Sequence, residues 1–144
     1  MYSAVQVAQY IVDRCTKLGM PISNLKLQKI LYFAWIDYFK SVHSALFLDN
    51  ICAWQLGPVV PSVYYEYCSY AGNPIRETHD LTTITLPDQS ELNNIIDRYI
   101  DIPASKLVDI SHAIGKPWNI IYQNGAGLRN TIPYGLIQRL ECEA

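Results

Sequence analysis

The chain has 144 residues, half of them apolar and only 17% charged, which suits a compact fold and excludes a disordered polar segment. Eleven basic residues against thirteen acidic ones give a net charge of −2, short of the basic surface that non-specific nucleic-acid binding needs. Neither an apolar run of about 18 residues for a membrane span nor a signal peptide is seen, and the four cysteines are scattered without a C-x-x-C pair. A reducing cytoplasm is therefore the expected setting.

Ser3 caps an expected first helix that runs to about Leu18, with Val5, Ala8, Ile11, Val12 and Cys15 at helical spacing. Gly19 stops it. Ser23 caps a second helix, about Asn24 to Ser41. At 100° per residue, Lys26, Lys29, Asp37 and Lys40 fall on one narrow polar stripe of that helix. Leu27, Leu31, Ala34, Trp35, Tyr38 and Phe39 cover most of the rest, so the helix is expected to be central. Phe33 falls inside the charged stripe, and Gln28 falls opposite it, between Trp35 and Phe39.

Residues 45–54 read as a short strand or an irregular crossing segment. Pro61 opens a third helix, about Pro61 to Ala71, stopped by Gly72. Thr82–Leu86 alternates well enough for one short strand, which would pair near Phe47. Asp88-x-x-Glu91 is a capping-box start for a fourth helix with Leu92, Ile95, Ile96, Tyr99 and Ile100 inward. Pro103 starts a fifth helix closed by Gly115, Pro117 a sixth through about Asn124, and Pro133 a last one. The expected fold is mainly α: one compact domain of six or seven helices with a small two-stranded β element.

Chemistry is thinly marked. His43, His79 and His112 are far apart, none with a neighbour spaced for a metal, and no nucleophile elbow or phosphate loop is present. No enzyme activity, metal or cofactor is expected. The informative features are shape motifs. Trp54 precedes a Gly57-Pro58 turn, where Gly57 supplies a backbone conformation that other residues avoid. Pro61 and Tyr64 follow it. Gln28 reads as a buried amide satisfied by that turn, and Trp54 as a core residue whose indole N–H finds one acceptor. In Ser111-His112…Pro117-Trp118, the histidine reads as packed and hydrogen-bonded, and Trp118 as an anchor. Phe33 beside Lys26 and Lys29 is a candidate patch for a protein partner, with Tyr65 on the outer face of the third helix as a further contact.

Three segments carry a resemblance: Leu25-Lys26-Leu27-Gln28-Lys29-Ile30-Leu31-Tyr32-Phe33-Ala34; Ala53-Trp54…Gly57-Pro58-Val59-Val60-Pro61…Val63-Tyr64; and Ser111-His112…Pro117-Trp118. Together they resemble the Panacea, or SocA-like, antitoxin domain, a family with many phage-associated members. The resemblance implies a helical domain that neutralises a cognate toxin protein by direct binding. It also implies an alternative, a proteolytic adaptor or phage accessory protein delivering its partner to a cytoplasmic protease. The shared motifs fall on residues with structural readings, so the partner is expected to be read elsewhere on the surface.

Overall fold

The computed structural model describes residues 1–143. Seven α-helices, one two-stranded antiparallel sheet and short tight helical turns account for its ordered elements. The first helix, α1 (Ala4–Lys17), begins with a complete capping box, in which Ser3 and Gln6 satisfy each other's backbone N–H groups. After α1, Gly19 turns with φ +72°, a conformation that glycine adopts without penalty.

The second helix, α2 (Asn24–Val42), is the axis of the fold. Ser23 caps its first turn by accepting from the Lys26 N–H. Twelve of its residues are buried, among them Leu27, Ile30, Leu31 and Trp35 with no exposed surface. At roughly 1.5–3 kcal/mol for each large apolar side chain removed from water, this one helix carries much of the drive to fold. The indole N–H of Trp35 donates to the Phe47 carbonyl at 2.9 Å, which satisfies that donor inside the core.

The sheet is a tight hairpin of β1 (Cys52–Trp54) and β2 (Gly57–Val59), in register Cys52 to Val59, Ala53 to Pro58 and Trp54 to Gly57. Its other side is closed by a returning strand-like segment. The Ala53 N–H donates to the Asn130 carbonyl and the Arg129 N–H to the Ala53 carbonyl. Then follow α3 (Pro61–Glu66), α4 (Leu86–Tyr99), α5 (Ala104–Ser111), α6 (Pro117–Tyr122) and α7 (Tyr134–Ile137). Helices α1, α4 and α5 all pack on α2, and the hairpin lies on it as well.

Four expectations are corrected. Thr82–Leu86 forms no strand: Thr85 instead caps α4 by accepting from the Asp88 N–H, and Ile84 is buried. The sheet is therefore a local hairpin, not a pairing with residues near Phe47. The third helix ends at Glu66, and a separate tight turn covers Cys68–Tyr70. Lys29 and Phe33 are not on the surface, at 0% and 7% exposed. The residues share one stripe of α2, but α4, α5 and the hairpin pack over Lys29 and Phe33.

Covered in this way, the stripe from Lys26 to Asp37 becomes a polar seam between helices, while Lys40 stays exposed. Lys26 Nζ donates to the Ile100 carbonyl at the C-terminal end of α4, where the helix dipole favours a cation. Asp37 accepts from Arg98 at 2.6 Å and from the Tyr99 hydroxyl at 2.7 Å. Between them Phe33 stacks on Tyr99, with ring centroids 5.3 Å apart. The aromatic in the charged row is thus the apolar filling of an α2–α4 contact.

Candidate functional site: the hairpin turn and its cleft

The three motif segments, far apart in sequence, meet at the hairpin. Gly57 carries φ +119°, a backbone state in which an L side chain is strained. There is also no room for one. A Cβ on Gly57 would stand 2.8 Å from Ser111 Oγ, 2.9 Å from Lys29 Cε and 3.1 Å from Lys29 Nζ. The glycine therefore lets the turn close directly over a lysine from α2 and a serine from α5.

Beneath the turn, Gln28 Oε1 accepts from the Val60 N–H at 2.9 Å. Its amide N–H donates to Asn24 Oδ1 at 3.1 Å, and Asn24 in turn donates to the Tyr64 carbonyl at 3.1 Å. This chain of side-chain amides ties α2 to Val60, just after β2, and to α3, and every link is a backbone or amide partner. Lys29 Nζ donates to the Pro58 carbonyl at 2.9 Å. Burial pushes its pKa down to about 7.

On the far side, the Trp118 indole N–H donates to the Trp54 carbonyl at 2.8 Å. The His112 ring lies flat on Trp118, with centroids 3.7 Å apart and planes 2° from parallel. Burial lowers the pKa of His112; the Leu56 backbone acts in the opposite sense, and Lys29 adds to the lowering. His112 Nε2 is buried without a hydrogen-bond partner among the described residues. Trp54 itself is half-buried, meeting Tyr64 edge-on at 4.9 Å, with Arg129 over its ring at 5.0 Å. Pro61 opens α3 and Pro117 opens α6, each where a missing N–H costs nothing.

Outside this framework lies a cleft of about 410 Å³. Leu25, Trp54, Leu56, Val59, Tyr64 and Ala71 make its apolar walls, and Asn24, Gln28 and Gln55 its polar points. Two large side chains beside it face solvent, Leu56 at 51% exposed and Tyr65 at 58%. Of the four residues read as partner contacts, Tyr65 is exposed, Lys26 is half-buried, and Lys29 and Phe33 are inside. The structure brings Lys29 to the motif cluster from within and leaves Tyr65 beside the cleft. Sequence reasoning missed Asn24, Leu56 and Arg129. An Asn24–Gln28 pair at i, i+4 on an otherwise apolar face was the available sign of the first; Leu56 and Arg129 had none.

Residues 27–119 match the family described as antitoxin SocA-like, Panacea domain. The chain is also 34% identical over 133 residues to antitoxin SocA of Caulobacter vibrioides (strain NA1000 / CB15N), covering 84% of this chain and 70% of that protein. The chain belongs to the antitoxin SocA-like, Panacea domain family. No solved structure matches it. The stretch matched to the Panacea family begins at Leu27 and ends at Asn119, so it holds α2 from Leu27 onward, the hairpin, α3, α4, α5 and the first turn of α6. It thus contains Gln28, Lys29, the Gly57-Pro58 turn, His112 and Trp118, which are the parts that lock together. The described residues of this Panacea chain contain no group of histidines, cysteines and carboxylates arranged for a metal ion. They also contain no helix long and apolar enough to cross a membrane.

Proposed function

We propose that the chain is a cytoplasmic antitoxin, acting as one domain, that neutralises a cognate toxin protein by stoichiometric binding without catalysis. The observation that carries this reading is the apolar cleft beside the locked hairpin, with Leu56 and Tyr65 exposed at it. A cleft of this size accepts a few side chains of a partner, and rigid aromatic surface contributes contact area at low entropic cost. Membership of an antitoxin family supplies the class of partner. Lys26, one residue beyond Leu25 of the cleft wall, is a secondary contact. Lys29 and Phe33 act from inside, by holding the surface in shape.

Co-expression with the product of each neighbouring gene tests the proposal. One of them should arrest growth alone and be relieved by this chain, with a stable complex recovered on purification. Replacing Leu56 and Tyr65 together by Ser should weaken that complex at least about tenfold while leaving the fold intact. Arrest that persists beside well-folded antitoxin, for every neighbouring product, would overturn the proposal. Measuring the half-life of the arresting protein in the same cells separates neutralisation, which leaves it unchanged, from delivery to a protease, which shortens it.

A further inference from the structure

Lys29 is a buried cation-forming group with nothing to neutralise it. It has no exposed surface, and no carboxylate pairs with it among the described residues. What it meets is the edge of the sheet. In the hairpin register Ala53 and Pro58 oppose each other, between the outer pairs Trp54–Gly57 and Cys52–Val59. Both residues therefore turn their polar groups outward. Ala53 is satisfied by residues 129 and 130. Pro58 has no N–H to offer, and its single outward carbonyl takes the Lys29 amine. The lysine does for β2 what a third strand would do, while the Gly57 backbone closes over its Cε and Nζ.

An uncharged amine fits this place; an ammonium does not. Charging Nζ would leave a full charge with one carbonyl acceptor and no surface open to bulk solvent, and buried charges need pairing. The residues facing it from β2 are Gly57, Pro58 and Val59, none of which titrates. From the end of α5 it faces Ser111, which spends its hydroxyl proton on the Val108 carbonyl at 2.8 Å, and His112. Asp109 acts on His112, where it favours the protonated ring. A protonated His112 would add a like charge to that of Lys29. Displacement of the segment above it, Gly57 and Pro58, would bring an ammonium to water.

We propose that Lys29 is a proton-operated latch on the hairpin: uncharged, it seals the edge of β2, and charging it frees residues 57–60 and opens the cleft that Val59 lines. The depressed pKa of the amine places this change near neutrality rather than in alkali. The latch goes beyond the antitoxin reading and is tested on the chain alone, so its failure and that of the antitoxin reading are separate results.

The experiment is an NMR titration of the uniformly labelled wild-type chain between pH 6 and pH 8.5. The Lys29 side-chain resonances should shift with a midpoint well below those of the other lysines. Hydrogen exchange at Val59 and Val60, corrected for the intrinsic rate, should report an opening constant roughly 10- to 30-fold larger at pH 6 than at pH 8.5. Their protection should stay well below that of the α1 amides, showing that the hairpin opens by itself. In Lys29→Met, which keeps length without a titrating group, the pH dependence of opening should vanish. Should that variant not fold, the wild-type titration decides alone. The latch is overturned if Lys29 titrates with the other lysines, or if hairpin opening is independent of pH. It is equally overturned if Val59 and Val60 track the α1 amides in both protection and denaturant dependence.

Discussion

Replacing Gly57 by alanine should damage this protein far more than a methyl group ordinarily does, for two separable reasons. At φ +119° an L residue is in a sparsely populated backbone state, which costs about 1–3 kcal/mol. The added Cβ would also stand 2.8 Å from Ser111 Oγ and 2.9 Å from Lys29 Cε. Neither neighbour retreats freely. Ser111 is held on the Val108 carbonyl, and Lys29 is wholly buried with its amine on Pro58. Overpacking of this kind costs about 1–3 kcal/mol, so the two effects together amount to roughly 2–6 kcal/mol. For a chain of this length that is a fall of roughly 5–20 °C in Tm. Urea and thermal denaturation of Gly57→Ala measure it, with Gly135→Ala as control. Gly135 lies within α7, has ordinary φ and nothing within 4 Å of an added Cβ, so alanine there should be neutral or slightly stabilising. A Gly57→Ala loss below about 1 kcal/mol, or no larger than that of the control, would refute the packing argument.

Other substitutions probe the remaining joints. Phe33→Ala should cost about 3–5 kcal/mol in denaturant unfolding, as removal of a buried ring stacked on Tyr99 does; a near-neutral result would return Phe33 to the surface. Gln28→Ala should cost about 1–3 kcal/mol, because the Val60 N–H loses its acceptor under the turn, and a shifted Val60 amide resonance should accompany the loss. Trp118→Phe keeps an aromatic ring but gives up the bond to the Trp54 carbonyl, so about 1–2 kcal/mol should be lost. Stability should also rise with pH. Lys29 sits near pKa 7 when folded against 10.5 as its ordinary value, so the unfolded chain binds the extra proton between those limits. Chemical denaturation should give about 2 kcal/mol more at pH 8.5 than at pH 6, and Lys29→Met should flatten that slope.

The local grammar of the chain was legible without coordinates. Ser3, Ser23, Pro61 and Pro117 mark helix starts because caps and proline act within a turn of themselves. The all-round apolar character of α2 announced a central helix, and Trp54 to Pro61 announced a fixed turn. Resemblance then supplied the family.

Short-range signals do fail where two readings share one pattern. Thr82–Leu86 alternates like a strand, yet no partner edge is within reach, and Thr85 is worth more as the cap of α4. Spacing alone points to Asp88 as that cap. It instead accepts from the hydroxyls of Tyr2 and Tyr38, two residues whose approach no spacing could show.

Sequence by itself determined that this chain is helical, where most of its helices begin, and which turn is unlike ordinary turns, because each of these is set by neighbours a few residues apart. Only the tertiary structure decided what the charged stripe of α2 is for. A lysine four residues from an aromatic looks the same on paper whether water or α4 lies beyond it. Burial is a property of what packs on a face, and here α4, α5 and the hairpin arrive from residues 52–111 to cover it. That covering turns Lys29 from a surface cation into the uncharged strut beneath Gly57 and Pro58.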